Sequence, residues 1–290
     1  MTIFVAEVSS NHNQDLDRCL AFVDEARRIG CDAVKFQLFT VDQLFSPDTL
    51  ERNPNLKGRK KFELPPDFLP AITRRCQERG IQFACTPFHL EAVKQLEPYV
   101  AFYKIASYEL LWDDLLVACA RAGKPVVLST GMATLEEVRR AVNILQSAGT
   151  DTTVLHCVSS YPTPIQDCNL AAIETLRRLT PKVGWSDHSV SPAVIYRAVH
   201  RFGAEMVEFH LDLADAQGEE SRLGLGHCWL PDQIGPVIQA TRDGFLADGD
   251  GVKMPVASET PDVKWRADPE DGLRPLQSTR IEAAKPIHSR

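Results

Sequence analysis

The chain has 290 residues, 44% hydrophobic and 24% charged, the balance of a soluble globular protein rather than a disordered or fibrous one. Its net charge of −7 excludes nucleic acid as the expected partner, since the one basic run, Lys-Gly-Arg-Lys-Lys at 57–61, is too short to grip a phosphate backbone. No apolar stretch approaches membrane-spanning length, no signal-like start is present, and the eight cysteines stand singly, so the expectation is a cytoplasmic protein with no membrane contact and reduced thiols.

In chain order, apolar and β-branched runs predict strands at 3–7, 32–37, 82–85, 102–105, 125–129, 152–157, 182–185 and 205–210. A helical pattern follows each, as where Leu135, Val138, Ala141, Val142 and Leu145 recur on one face. Five of the helix-to-strand junctions carry a glycine, at Gly30, Gly80, Gly123, Gly149 and Gly203, which suits the left-handed turn that closes a helix. Eight such units predict an α/β fold, a (β/α)8 TIM barrel over residues 1–248, the usual size for that architecture. An open doubly wound sheet is the alternative, but no G-x-G-x-x-G follows the first strand, and eight units close more naturally than six.

Two stretches stand outside the repeat. Residues 38–66 form a long connection that Pro47, Pro54, Pro65 and Pro66 should keep irregular, and a loop of that length is expected to act as a lid over the barrel mouth. Residues 249–290, rich in Pro, Asp and Arg with no helical period, form an irregular tail expected to lie on the barrel or meet a second subunit.

Barrel chemistry sits where the strands end, so the polar residues there are the candidates. Lys35 and Lys104, each inside an apolar strand, supply fixed positive charge for an anion, or else form internal ion pairs with Glu7 or Glu208. Glu7 and Glu208 end strands one and eight, which meet when the barrel closes; two carboxylates beside lysines suit proton transfer, with structural ion pairing as the plainer reading. His188 and His210 end neighbouring strands and stand either as ligands of one divalent ion or as hydrogen-bonded core residues, since no local metal signature accompanies them. His12, His156 and His227 are weaker candidates.

The ordered segments Ala6-Glu7-Val8-Ser9-Ser10-Asn11-His12-Asn13, Ala33-Val34-Lys35-Phe36-Gln37, Thr86-Pro87-Phe88, Tyr103-Lys104-Ile105-Ala106-Ser107, Leu128-Ser129-Thr130-Gly131-Met132, His156-Cys157-Val158-Ser159-Ser160-Tyr161-Pro162 and Trp185-Ser186-Asp187-His188 together resemble the N-acetylneuraminate (sialic acid) synthase family. That resemblance implies a metal-dependent condensation of phosphoenolpyruvate with an open-chain sugar aldehyde, N-acetylmannosamine or a related hexose, giving a nonulosonic acid and phosphate. By the same resemblance Lys35, Thr86, Lys104, Ser107, Ser129, Ser159 and Ser186 bind phosphoenolpyruvate, and Asn11, Gln37 and Tyr161 face the sugar. Glu7, Lys35, Lys104 and Glu208 carry the catalysis, and His188 with His210 holds Mn2+ or Mg2+.

The chain departs from the family pattern after His210, where Leu211-Asp212-Leu213, Gly218-Glu219-Glu220 and Gly226-His227-Cys228-Trp229 replace the usual sequence, leaving the sugar open. The chain also resembles a short form without the C-terminal antifreeze-protein-like domain, which in many members carries an arginine over the partner's site in a dimer. A homodimer is therefore expected, with Arg266 or Arg274 as the substitute cation. The competing functions are a Schiff-base aldolase using Lys104 and a non-catalytic sugar-binding barrel.

Overall fold

Successive side chains of a strand point to opposite faces, and in a closed barrel those faces are the axis and the surrounding helices. The computed structural model describes residues 2–283. Its strands are β1 (Ile3–Glu7), β2 (Ala33–Leu38), β3 (Gln82–Pro87), β4 (Phe102–Ile105), β5 (Val126–Ser129), β6 (Thr152–Cys157), β7 (Val183–Asp187) and β8 (Met206–His210). All pair in parallel and in chain order, and β8 returns to β1 with Val5 opposite Glu208 and Glu7 opposite His210. The closed barrel is the expected fold.

The outward positions are apolar. Phe4, Phe36, Phe83, Tyr103, Leu128, Val154, Trp185 and Phe209 share one buried cluster with helix residues such as Phe22, Ile72, Val142 and Ile234. On the axis, Val5, Ala33, Ala84, Phe102, Val127, Leu155 and Met206 form a separate apolar floor. Two residues further along the same strands the inward position changes character, to Glu7, Lys35, Thr86, Lys104, Ser129, Cys157 and Glu208, all buried. On β7, Gly184 takes the floor position and Ser186 the upper one.

The junction glycines adopt the left-handed turn expected of them, with φ between 63° and 93°. Three strand ends lie beyond their expected limits, β2 by the single residue Leu38. β7 continues through Ser186 and Asp187, which pair with Glu208 and Phe209, and β3 continues through Thr86 and Pro87, which pair with Gln37 and Leu38. The apolar run stops there, but the ladder does not.

The prolines of residues 38–66 start elements rather than break them. Helices Val41–Leu44 and Pro47–Arg52 and 3-10 turns Pro54–Phe62 and Pro66–Phe68 fill the connection, and Pro47, Pro54 and Pro66 occupy first turns, where a missing N–H costs nothing. Phe39, Val41 and Leu50, with Phe45, Leu56 and Phe62, give this segment an apolar cluster of its own.

The chain divides into two compact units, Met1–Phe245 and Leu246–Arg290. In the second, expected to be irregular, helices Thr260–Val263 and Gln277–Ala283 form, and the Asp268 carboxylate accepts from the Gln277 backbone at 2.6 Å. The last seven residues of the expected tail lie outside the described ones. Among the described residues no helix is long and apolar enough to cross a membrane.

Gly184 tests how tightly the floor is built. A Cβ there would land on the Met206 carbonyl oxygen of β8, a rigid backbone atom, so Gly184→Ala should cost about 1–3 kcal/mol, seen as a lower urea midpoint. An unshifted midpoint would mean that β7 and β8 part without penalty.

Candidate active site

Two lysines and two glutamates meet above the apolar floor. Lys35 Nζ pairs with Glu7 Oε2 and stands 3.8 Å from Glu208 Oε2, while Lys104 Nζ donates to Glu208 Oε1 at 2.8 Å. Gln37 Nε2 donates to the second Glu7 oxygen at 2.6 Å, and Ser186 Oγ to Glu208 Oε1 at 3.3 Å. Lys35 Nζ also reaches Thr86 Oγ1 at 3.4 Å. None of the four charged side chains is more than 6% exposed.

Burial pushes the Glu208 carboxyl up, but Lys104 and Lys35 beside it hold it below the ordinary range. Burial likewise opposes the charge on Lys35, and Glu208 and Glu7 outweigh it, so its pKa is raised. Two lysines matched by two glutamates give the quartet no formal net charge. Apolar residues of similar volume would generally stabilise such an interior as well or better, so the arrangement points to use by a ligand.

Hydroxyls line the neighbouring wall. Gly131 N–H donates to Ser107 Oγ at 2.9 Å, and a Cβ at Gly131 would collide with Ser159 Oγ, so the absence of a side chain there lets the two serines converge. The Ser129 and Ser159 hydroxyls are buried without a hydrogen-bond partner among the described residues, as is Glu208 Oε2. Such orphans call for an unseen partner. Every residue expected to hold phosphoenolpyruvate therefore lies on the inward polar tier or on the loop that follows it.

Histidines gather at one corner. The His188 and His210 rings are 5.3 Å apart between centroids, with Tyr161 4.2 Å from His188. His188 Nδ1 is 2.8 Å from Val158 O, and His210 Nδ1 2.9 Å from Glu220 Oε2, the kind of outer contact that fixes a metal-binding imidazole and frees its other nitrogen. The pair fits a shared divalent ion. His227, ranked low from sequence, packs its ring 4.7 Å from His210, and Cys228 Sγ lies 3.3 Å from Glu220 Oε2.

The corner is held by the loop between His210 and the helix Pro231–Ala247. Asp187 accepts from both Trp185 Nε1 and Trp229 Nε1, at 3.0 and 2.9 Å, which ties that loop to β7 beside His188. Asn11, expected to face the sugar, is instead fully buried: its Nδ2 donates to Leu211 O at 3.0 Å and its Oδ1 accepts from Glu220 N–H at 2.9 Å. Its amide ties the loop after β1 to the loop after β8. Gln37 is half-buried and engages Glu7, and Tyr161 belongs to the histidine corner. His156 points away from the axis, packing against Trp185 at 5.3 Å. Arg266 and Arg274 belong to the second unit, where Arg266 Nε donates to Val263 O at 2.9 Å.

Residues 22–253 match the NeuB family. The chain belongs to that family. Among similar NeuB-type proteins is the N,N'-diacetyllegionaminic acid synthase of Legionella pneumophila, 32% identical over 282 residues, covering 90% of this chain and 77% of that one. The pseudaminic acid synthase of Campylobacter jejuni is 32% identical over 269 residues, with 85% and 75% covered. The crystal structure of N-acetylneuraminic acid (sialic acid) synthetase from Leptospira borgpetersenii, in complex with citrate, superposes with a TM-score of 0.78 at 31% identity, covering 91% of both chains. This NeuB member is thus an enzyme of the sialic-acid-type synthase class, whose members condense phosphoenolpyruvate with a sugar.

Glu109, in the turn after β4, is a further buried carboxyl that no sequence pattern assigned a role. Burial raises it to about 7, only partly offset by its own backbone hydrogen bond and Lys104, and its Oε2 has no partner. Because this pKa stands above the ordinary 4.5, the folded chain keeps the proton between the two values and loses stability as pH rises through that interval. Glu109→Gln should flatten the loss, gaining on the order of 2 kcal/mol over the parent at pH 8 relative to pH 5 in urea titrations. Parallel pH profiles for the two proteins would show that Glu109 does not titrate there.

Proposed function

We propose that this enzyme joins C3 of phosphoenolpyruvate to the aldehyde carbon of an open-chain N-acetylmannosamine or related hexose, giving a nonulosonic acid and phosphate. The observation that carries the reading is the buried tier of two lysines, two glutamates and convergent hydroxyls above a sealed apolar floor. Lys35 and Lys104, with Thr86, Ser107, Ser129, Ser159 and Ser186, would hold the carboxylate and phosphate, since a desolvated anion needs fixed charge and many donors.

Binding such an anion changes the protons. As the Lys104 ammonium turns its hydrogen bonds toward the anion, Glu208 loses its counter-charge, becomes more basic, and can take a proton from the water that adds at C2. Breaking the C2–O bond then releases phosphate. Glu7, oriented by Gln37 and paired with the Lys35 ammonium, would relay the Lys35 proton to the oxygen of the former aldehyde. When bound at His188 and His210, a divalent ion such as Mn2+ or Mg2+ supplies a Lewis acid for that oxygen.

The names of the relatives support a sugar of the N-acetylmannosamine kind or a diacetamido hexose. A panel of these sugars and mannose, incubated with phosphoenolpyruvate and Mn2+, should give sugar-dependent phosphate release that a chelator abolishes. Failure with every sugar, together with no calorimetric binding of phosphoenolpyruvate, would leave a non-catalytic barrel.

A Schiff-base aldolase requires a neutral Lys104, yet its Nζ is paired with Glu208. Borohydride with pyruvate should therefore leave no covalent adduct. Lys104→Met should weaken phosphoenolpyruvate about 10- to 100-fold, the usual worth of one charged hydrogen bond, and an unchanged Kd would remove Lys104 from the anion site.

A further inference from the structure

We propose that residues 39–63 form a lid that closes the barrel mouth over the charged tier, pivots on Leu38 and Leu64, and is latched by Gln14 and the Lys61–Glu219 ion pair. Something at the mouth has to move. Lys35, Thr86, Lys104, Ser129 and Ser186 are each at most 3% exposed, so a ligand reaches their polar groups only when the rim opens. The gating role rests on the reading of that tier as an anion site; the motion itself does not.

The segment follows β2 and reaches round one side of the rim. It touches the loop after β3, where the Phe39 and Phe88 ring centroids are 5.8 Å apart, and the loop after β1, where Gln14 Nε2 donates to Lys60 O at 3.0 Å and Glu63 O at 2.9 Å. It meets the loop after β8 where Lys61 Nζ lies 2.5 Å from Glu219 Oε1. Below that arc stand Glu7, Lys35, Thr86 and Glu208, the inward residues of β1, β2, β3 and β8.

Its packing is that of a separate body. Leu38 and Leu64, at its two ends, are buried in the barrel's main cluster, whereas Phe39, Val41 and Leu50, with Phe45 and Phe62, bury against one another. Inside the segment Lys60 pairs with Asp42 at 2.9 Å, and the Glu63 carboxylate accepts from the Val41 N–H at 2.7 Å. Opening therefore costs the segment little of its interior. What it gives up are the solvent-exposed bonds from Gln14 and an ion pair whose Lys61 side chain is 60% exposed, and such contacts are individually weak. Apolar packing against Phe88 at one end and releasable polar contacts at the other make a hinge and a latch. Gln14 sits in the left-handed region at φ 54°, beside Asn13 at 53°, a conformation that costs a non-glycine residue energy and persists where something fixes it.

Spin labels on the full chain report the motion without ligand or turnover. One is placed in the segment through Lys57→Cys and one across the mouth, on the helix Leu135–Ser147, through Glu136→Cys; Cys228, the native cysteine that is not buried, is changed to serine. The parent should show one dominant distance. Lys61→Glu should raise the population at longer distance about fivefold, the usual worth of an exposed ion pair, and adding Glu219→Lys should return it to about the parent level. Gln14→Asn keeps a residue at ease in the left-handed region but too short to reach both carbonyls, and should act like Lys61→Glu. Phosphoenolpyruvate, followed by stopped-flow tryptophan fluorescence, should enter and leave about threefold faster in both variants with little change in Kd, because a gate alters both rates alike. Where Gln14→Asn lowers the urea midpoint, Lys61→Glu and its reversal decide alone. Distances that do not respond to Lys61→Glu would overturn the lid, whatever phosphoenolpyruvate does. Distances that respond while the binding rates stay fixed would overturn its gating role. Responding distances with no phosphoenolpyruvate binding at all would remove the anion-site reading and keep the lid.

Discussion

The strict alternation of a closed barrel strand is the constraint on which the rest of this molecule depends. Eight strands in parallel register make residue i of every strand part of one inward layer and residue i+2 part of the next. Here the lower layer is apolar, from Val5 round to Met206, and the upper carries Glu7, Lys35, Lys104 and Glu208. The floor shields the charges from below, so their only exit to solvent is the mouth. Closure of β8 on β1 then decides who meets whom, bringing Glu208 to Lys35 while Lys104, from β4 on the opposite side, reaches across the axis to the same carboxylate.

The mouth is completed by loops that cannot be placed independently. The loop after β8 is fixed by Asn11 and Arg18, from the loop and helix that follow β1, and from β7 by Asp187 through the Trp229 indole. The connection at 38–66 meets it as well, through Lys61 and Glu219 at 2.5 Å, and is held to the first loop where Gln14 Nε2 donates to the backbone carbonyls of Lys60 and Glu63. Glu219 and Glu220 are adjacent, so one short helix, Glu219–Arg222, faces the connection at 38–66 with one carboxylate and the histidines with the next. A change in any of these segments therefore bears on the histidine corner.

Much of this was legible in the sequence because barrels repeat. Periodicity located all eight strands, and a lysine inside an apolar strand marks an inward position that has to be explained, which picked out Lys35 and Lys104. The limits were local. Asp187 and Thr86 were placed beyond their strands because hydropathy sees the end of an apolar run and not the end of a hydrogen-bond ladder. The prolines at 47, 54 and 66 look the same in a sequence whether they break an element or begin one. Glu220, His227 and Cys228 lie on an irregular loop with no period, and only folding shows that residues seven and eight positions apart share one corner. Asn11 misled for a related reason, since an amide near a mouth reads as a ligand contact until its backbone partners are known.

The quartet's neutrality bears on what the mouth accepts. Two lysines and two glutamates, each the other's counter-ion, let the barrel bury four charges without a net field. An anion that takes one lysine leaves a carboxylate uncompensated, so the cost of binding appears as a raised affinity of that carboxylate for a proton. A neutral ligand gives no such coupling. The chemistry best served by this interior is therefore one in which an anionic substrate must bind before a proton is removed, and in which that proton comes from a partner entering through the mouth. Condensation of an enol phosphate with an aldehyde, followed by addition of water, has that order built into it.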